Sequence, residues 1–292
     1  MNRSAILNKS IKKVLKTTIR LLEHNNSTII KPSSSSSSNN NKIDYLKQLF
    51  KPLNRPNFYQ EYLLENRQIK SLKRASVLVP ISHNSSTNEY EYTLTKRMDH
   101  LRTHKGQICF AGGMKDDVDE NEIRTAYREA YEEIGIDESK LTFLAQLVPV
   151  CTSAGVLLTP IVVYFDQNDF KPKINKDEVD FMFNLETKRF LEARGHTSRS
   201  LGGFYVHYFD DKINVNSSMK SINTWGVTAF LCVCLSSAIH KQLPEFSIDP
   251  SAKLEGDKLN EFLEHYLKVK SKSLISVFAA KTKISDTLKS IW

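Results

Sequence analysis

An amphipathic helix is the clearest pattern in the chain, between residues 119 and 135. Apolar side chains recur there at helical spacing and define one face: Ile123, Ala126, Tyr127, Ala130 and Ile134. Asp119 and Glu122 are spaced as in a capping box, and Gly135 is suited to end the helix in a left-handed conformation. The pattern therefore predicts a helix that buries one face.

Shorter apolar and alternating runs predict strands around this helix. The expected strands lie at 75–80, 92–94, 107–110, 144–150, 161–165 and 204–209. Longer periodic stretches predict further helices at 45–62, 185–191, 222–239 and 254–270. Strands that alternate with helices predict an α/β fold, with a strand, a glycine turn and an acidic loop leading into the central helix.

The polar face of this helix carries three glutamates. Glu129, Glu132 and Glu133 stand at positions i, i+3 and i+4, so they share one face. Like charges at this spacing repel by a few tenths of a kcal/mol per pair. A helix built for stability alone would place lysines among them. Three unrelieved carboxylates therefore suggest ligands for a hard cation such as Mg²⁺.

The residues on and around the helix resemble the Nudix box. The matching positions, in chain order, are Gly113, Glu120, Arg128-Glu129, Glu132-Glu133 and Gly135. Six residues separate Gly113 from Glu120, one more than in the usual box. This insertion resembles the boxes of one branch of the family, the coenzyme A diphosphatases.

An upstream motif and a later segment extend the resemblance over roughly residues 70 to 240. The upstream match consists of Leu94-Thr95, Arg97, Leu101-Arg102, His104, Gly106-Gln107, Phe110 and Gly112-Gly113. Ala111 departs from the proline that is usual there, which loosens the turn without removing chemistry. The segment Trp225-Gly226-Val227-Thr228-Ala229 is similar to the family's final segment.

The resemblance implies a Nudix-type α/β/α sandwich around a mixed β-sheet. It also implies Mg²⁺- or Mn²⁺-dependent hydrolysis of the diphosphate bond of coenzyme A and its derivatives, giving phosphopantetheine and adenosine 3′,5′-bisphosphate. Glu129, Glu132 and Glu133 would be metal ligands and catalytic residues, with Arg128 holding a carboxylate in place. The alternatives are a Nudix hydrolase of another nucleoside diphosphate derivative, or a non-catalytic domain that binds a nucleotide.

The same resemblance marks residues on the substrate side: Arg97, Arg102, His104, Gly112 and Gly113. Basic side chains suit the phosphates of coenzyme A, and glycines allow a close backbone approach. His104 has a structural alternative, in which its ring bonds the glycine turn.

Two acidic residues are left open. Glu120 is either the outer glutamate of the box or a loop charge. Glu178 is either a general base or further ligand, or part of a charged turn.

The net charge of +8 is concentrated at the N-terminus. Residues 1–55 hold 11 Lys and Arg against two acidic residues, which leaves the remainder of the chain at −1. The high pI therefore does not argue for nucleic-acid binding, and we expect no nucleic-acid partner. The resemblance, and not the charge, implies a small-molecule substrate, coenzyme A or its acyl derivatives. No run approaches the roughly 20 apolar residues of a membrane span, and the four cysteines lack metal-site spacing. The sequence leaves the oligomeric state open.

The N-terminal segment is basic and amphipathic, and it lacks acidic residues before Glu23. Such a pattern predicts a mitochondrial presequence; a helix that binds a membrane surface or a partner is the alternative. A cytoplasmic location stays open, and the ending Ser290-Ile291-Trp292 does not match the peroxisomal Ser-Lys-Leu signal.

The expected organisation has five parts. They are a presequence-like arm (1–31), a disordered Ser/Asn linker (32–43), a helical lead-in (44–70), the Nudix domain (71–245) and a C-terminal helical extension (246–292).

Overall fold

A mixed sheet of eight strands forms the centre of the computed structural model, which describes residues 39–57, 72–152, 154–201 and 204–248. Strands β1 (Lys73–Asn84) and β7 (Val156–Tyr164) are parallel, and the other pairings are antiparallel. The remaining strands are β2 (Glu89–Arg97), β3 (Ile108–Cys109), β4 (Gly112–Met114), β5 (Thr142–Gln146), β6 (Val150–Cys151) and β8 (Val179–Glu186).

A second, three-stranded antiparallel sheet follows. It consists of β9 (His196–Leu201), β10 (Phe204–Val215) and β11 (Ser218–Trp225), with β10 in the centre. Asn216 and Ser217 have positive φ in the tight turn between β10 and β11, as a two-residue hairpin turn requires.

Helices cover the two faces of the large sheet. They are α1 (Asn39–Phe50), α2 (Glu122–Ile134) and α3 (Gly226–His240). Leu78 of β1 packs in the core under α2, whereas its neighbour Val79 points to the opposite core under α1 and α3. Successive strand residues alternate between faces, so one sheet serves both cores. The predicted α/β/α sandwich with a mixed sheet is confirmed.

The central helix buries the predicted stripe. Ala126, Ala130 and Ile134 are inaccessible to solvent, and Gly135 ends α2 with φ of 73°. The predicted cap is wrong, because the Asn121 side chain accepts hydrogen bonds from the first amides of the helix. Asp119 points elsewhere and binds an arginine, as described below.

Several element boundaries differ from the prediction. The strand expected at 144–150 is divided into β5 (Thr142–Gln146) and β6 (Val150–Cys151). Residues 222–225 were expected to start the last helix but pair with β10, so α3 begins at Gly226. Residues 185–191 were expected to be helical, but Leu185 and Glu186 complete β8 and a 3-10 helix follows at Thr187–Leu191. Both strand ends are fixed by pairing across the sheet, which local periodicity does not report.

The predicted linker ends earlier than residue 43. Helix α1 begins at Asn39, because Leu46 and Phe50 bury its inner face in the core. Pro52 then stands in a 3-10 turn at Lys51–Leu53. The predictions for 1–31, for most of the linker, for 58–70 and for the C-terminal extension after residue 248, with its helix at 254–270, lie outside the described residues. In the described part of the chain, no helix is long and apolar enough to cross a membrane.

Candidate active site

The three box glutamates differ in environment although they share one helix face. Glu133 is 1% exposed, and its Oε1 accepts a hydrogen bond of 3.1 Å from Nη1 of Arg97. Glu129 is largely buried, whereas Glu132 is half exposed. The exposure of the three carboxylates therefore increases from Glu133 in the interior, through Glu129, to Glu132 at the surface.

The glycine pair lets β4 pass close to these carboxylates. A Cβ on Gly113 would lie 2.5 Å from Oε2 of Glu129, and one on Gly112 would lie 2.7 Å from Cα of Val77. A side chain at either position would therefore displace a neighbour. The structure thus places both glycines between β1 and α2, in a strand rather than in the expected turn.

Arg128 connects three acidic side chains. Its Nε and Nη2 donate to the two carboxylate oxygens of Asp119 at 3.0 and 2.9 Å. Its Nη1 lies 2.9 Å from Glu129 Oε1 and 3.1 Å from Glu132 Oε2. The hydrogen bonds from this arginine hold the pKa of Asp119 well below its usual range. Arg128 therefore fixes the loop before α2 and restrains two box carboxylates.

Asp119, and not Glu120, is the loop acid that meets the box arginine. Glu120 is exposed, whereas Asp119 is buried. Five residues separate Gly113 from Asp119, which is the usual spacing of the box. That spacing was the signal in the sequence, and the preference for a glutamate at this position obscured it. The structure favours the alternative that Glu120 is only a loop charge.

Burial and mutual repulsion shift the pKa values of the inner carboxylates. Burial raises the pKa of Glu133 to about 7; Arg97 opposes this effect, and the charges of Glu178 and Glu129 add to it. Burial also raises the pKa of Glu129, against the attraction of Arg128. Both carboxyl groups therefore hold a proton more readily than a glutamate in water. Their ionised forms would be stabilised by a cation close to them.

A divalent cation would supply that partner. Among the described residues, no three acidic, His or Cys side chains are gathered closely enough to hold a metal ion as they stand. Glu133 Oε2 is nevertheless buried and makes no hydrogen bond of normal geometry, although the Gly112 amide lies near enough to lower the pKa of this carboxyl group. A buried oxygen in this position fits a cation ligand. Arg128 neutralises Glu129 and Glu132 in this arrangement. The residues that would hold the ion are thus Glu129, Glu132 and Glu133.

The predicted substrate-binding basic residues are separated. Arg97 is paired with Glu133 and so supports a box carboxylate instead of lying free for substrate. Arg102 and His104 lie on an exposed loop. His104 has φ of 54°, and its Nδ1 is 2.9 Å from Gln107 Oε1. The His104 ring therefore contacts Gln107 and not the glycine turn of the structural alternative, and its role in substrate binding stays a prediction.

Glu178 lies near enough to the inner carboxylates to act on them electrostatically. Its charge raises the pKa values of both Glu129 and Glu133. The preceding loop is fixed to the end of α2 by a hydrogen bond of 2.9 Å from the Asn175 amide to the Glu133 carbonyl. Glu178 Oε1 itself accepts from Asn175 Nδ2 at 3.5 Å. The structure therefore places Glu178 near the carboxylates of Glu129 and Glu133.

Comparison with known proteins agrees with this geometry. The NUDIX domain matches residues 72–196. Peroxisomal coenzyme A diphosphatase NUDT7 of Mus musculus is 32% identical over 186 residues, which cover 61% of this chain and 75% of that protein. Peroxisomal coenzyme A diphosphatase ndx-8 of Caenorhabditis elegans is 33% identical over 177 residues, covering 60% and 72%.

The name of a third relative gives a different organelle. Mitochondrial Nudix hydrolase 15 of Arabidopsis thaliana is 31% identical over 179 residues, which cover 60% of this chain and 61% of that protein. The relatives agree in the Nudix region and differ in the organelle that their names give. The chain therefore belongs to the Nudix hydrolase family, in the branch that includes these coenzyme A diphosphatases.

Proposed function

We propose that the chain hydrolyses the diphosphate bond of coenzyme A and its derivatives, with Mg²⁺ or Mn²⁺ as the cofactor. The products would be phosphopantetheine, free or acylated, and adenosine 3′,5′-bisphosphate. Similarity to two coenzyme A diphosphatases supports this substrate class.

One structural observation carries the hydrolytic part of the proposal. Glu133 keeps a buried carboxylate oxygen that makes no hydrogen bond of normal geometry, in the same helix as the partly buried Glu129. An anionic oxygen left unsatisfied in the interior costs free energy unless a cation or a proton meets it. A metal-dependent hydrolase gives this arrangement a use, whereas a purely structural helix does not.

The protein's own residues would position the reacting groups. A bound divalent ion would neutralise the diphosphate oxygens and lower the pKa of a bound water molecule. Arg97 holds Glu133 from the interior side, and Arg128 restrains Glu129. Glu178 lies close enough to influence both carboxylates, so we assign it as the candidate acceptor of the water proton.

Exposed basic side chains are the candidates for binding the phosphate groups of the substrate. Arg102 stands on the loop that follows β2, and its guanidinium suits a phosphate group. We propose that Arg102 meets the 3′-phosphate of the ribose, with His104 shaping the loop. Lys96 is a weaker candidate, because it already pairs with Asp99 and Asp180.

The test combines one assay with two variants. Purified protein is incubated with coenzyme A and Mg²⁺ or Mn²⁺, and the products are identified by mass. Glu133→Gln should lower kcat by at least about a hundredfold, while Glu120→Gln, a change on the exposed loop, should retain parent activity. Full activity of Glu133→Gln would refute the metal assignment.

A panel of substrates separates the alternatives. Equal rates with coenzyme A and dephospho-coenzyme A would contradict the role of Arg102. Turnover only of another nucleoside diphosphate derivative would favour the first alternative function. Metal-independent nucleotide binding without any product would favour the non-catalytic domain.

We also propose a mitochondrial location. The basic N-terminal residues support it, as does the mitochondrial relative; the two peroxisomal relatives favour a different organelle. A fluorescent fusion of the full chain that stays in the cytoplasm or enters peroxisomes would overturn the proposal.

A further inference from the structure

Asn175 stands at the start of the turn that leads into β8, and its backbone is tied to the end of α2. Its amide donates to the Glu133 carbonyl at 2.9 Å, and the Lys173 amide donates to the Ile134 carbonyl at 2.9 Å. The last carbonyls of a helix have no partner within the helix, so these amides satisfy groups that would otherwise need water. The segment is therefore fixed to the helix turn that carries the metal-ligand candidate Glu133.

The chain approaches this helix end closely. Gly135 has φ of 73°, and a Cβ placed on it would lie 2.6 Å from Cβ of Lys173. A residue without a side chain is what permits this approach. The distance between α2 and the segment that includes Asn175 is therefore set by direct contact.

Asn175 also defines the turn itself. Its carbonyl accepts hydrogen bonds from the amides of Glu178 at 3.2 Å and Val179 at 2.9 Å, and its side-chain Oδ1 accepts from the Asp177 amide at 3.1 Å. An asparagine that accepts from the amide two residues later forms an Asx turn. One residue therefore shapes the backbone on which Glu178 stands.

The other end of the Asn175 side chain faces Glu178. Because Oδ1 accepts from the Asp177 amide, the nitrogen Nδ2 must point the other way, and it lies 3.5 Å from Glu178 Oε1. This distance is long for a hydrogen bond, as is common for catalytic groups before substrate binds. The turn sets the orientation of the amide, so its donor stays directed at the carboxylate.

Glu178 needs a restraint because it lies among like charges. Its charge raises the pKa values of Glu129 and Glu133, and the same repulsion acts on Glu178. Its backbone is held, since its carbonyl accepts from the Met98 amide at 2.8 Å. Its side chain is partly exposed, so repulsion alone would turn it towards solvent. The neutral donor of Asn175 opposes that rotation without adding a charge.

We propose that Asn175 is a positioning residue that keeps the Glu178 carboxylate oriented towards Glu129 and Glu133. The inference rests on the proposed function for the role of Glu178 as the acceptor of the water proton. Asn175 acts through Glu178 and does not contact the reacting atoms. A misplacement of about 1 Å can cost roughly a hundredfold in rate, and the Glu178 backbone stays anchored, so we expect loss of Asn175 to cost about tenfold.

Two substitutions separate the turn from the contact. Asn175→Asp keeps an oxygen for the Asp177 amide but replaces the donor that faces Glu178 by a carboxylate oxygen. Asn175→Ala removes both groups. With coenzyme A and saturating Mg²⁺, both variants should lower kcat about tenfold and leave KM within about twofold, because the substrate contacts are unchanged. Parent kcat in Asn175→Asp would show that the turn alone matters and would overturn the proposal.

Asn168→Ala is the matched control. The Asn168 side chain also donates to a carboxylate, with Nδ2 3.0 Å from Asp166 Oδ1, but it lies on an exposed turn. Its kcat should stay within about twofold of the parent value. A loss of kcat in Asn168→Ala equal to that in Asn175→Ala would contradict an effect specific to Asn175.

A double-mutant cycle distinguishes positioning from a structural effect. Glu178→Gln should itself lower kcat, and adding Asn175→Ala to it should lower kcat by less than about twofold further, because the carboxylate that Asn175 orients is already gone. A further loss of about tenfold in the double variant would overturn the proposal. Parent kcat in Glu178→Gln would overturn it as well.

Crystal structures of the parent and of Asn175→Ala let the two proposals fail separately. The Glu178 carboxylate should move by about 1 Å or more in the variant, while the amide at position 175 keeps its bond to the Glu133 carbonyl. An unmoved carboxylate would refute the positioning role, whatever the activity. If the carboxylate moves but the parent hydrolyses no coenzyme A, only the proposed function fails. Should Asn175→Ala not fold, the same comparison with Asn175→Asp decides the outcome.

Discussion

Alanine substitutions at the neighbouring glycines Gly112 and Gly113 should distinguish the effect of β4 on activity from its effect on stability. At Gly113, a methyl group would lie 2.5 Å from the Glu129 carboxylate, which is the far end of a flexible side chain. At Gly112, it would lie 2.7 Å from Cα of Val77 and would overlap the Ser76 carbonyl oxygen, both of which belong to β1. We therefore expect Gly113→Ala to impair activity and Gly112→Ala to impair stability.

The magnitudes follow from what has to move. In Gly113→Ala, the Glu129 carboxylate must retreat by about 1 Å to reach normal contact, and a displacement of this size costs roughly a hundredfold in rate. The free energy of unfolding should change by less than about 1 kcal/mol, because the side chain can rotate away. In Gly112→Ala, backbone must move against backbone, so we expect a loss of about 3 kcal/mol or more.

Two measurements on each variant test these expected effects on activity and stability. Urea unfolding gives the free energy of unfolding, and initial rates of diphosphate hydrolysis give kcat/KM. The reasoning would be refuted by a Gly113→Ala protein that is as active as the parent, or by a Gly112→Ala protein that is as stable. Loss of stability in both variants would show that β4 pairing, and not carboxylate placement, dominates at each position.

Two further predictions concern ion pairs and histidine titration. Asp119→Asn removes the charge that faces Arg128, so the free energy of unfolding, measured in urea at pH 7, should fall by about 2 kcal/mol. Burial lowers the pKa of His196 from 6.5 to about 4, helped by the nearby charges of His207 and Arg189. The unfolded state then binds more protons between these values, so stability should fall as pH drops from 6.5 to 4, by about 2 kcal/mol after allowance for partial exposure.

Controls make both predictions specific. Glu120→Gln changes an exposed acid in the same loop and should leave the unfolding free energy within about 0.5 kcal/mol of the parent. Replacing His196 by Gln should reduce the pH dependence of the unfolding free energy between pH 4 and 6.5. Carboxyl groups that titrate in the same range keep part of that dependence. Equal slopes in parent and variant would contradict the assigned role of His196, and unchanged stability of Asp119→Asn would contradict the role of its arginine pair.

The sequence was informative where structure is set locally. The period of Ala126, Ala130 and Ile134 predicted the buried face of α2, because neighbours on a helix surface lie three and four residues apart. Gly135 signalled the helix end for a comparable local reason, since a residue without Cβ accepts positive φ without strain. The alternating residues of β10 were likewise predicted from their own pattern.

Contacts between distant segments were not predictable in the same way. The pairing of Arg97 with Glu133 joins residues 36 positions apart, and it depends on where β2 ends relative to α2. The choice between Asp119 and Glu120 depends on loop conformation, which turns one acid inward and the next outward. The start of α3 was misplaced because cross-strand pairing outweighs helical periodicity at Ile222.

The arginine partners of the box glutamates have a consequence for how the protein is made and handled. Arg97 and Arg128 already offset much of the repulsion among these carboxylates, so folding need not wait for a metal ion. Under the proposed metal dependence, the chain would fold in a metal-poor environment and gain activity when the ion is added. A chelating buffer should accordingly silence the enzyme reversibly and leave its architecture intact.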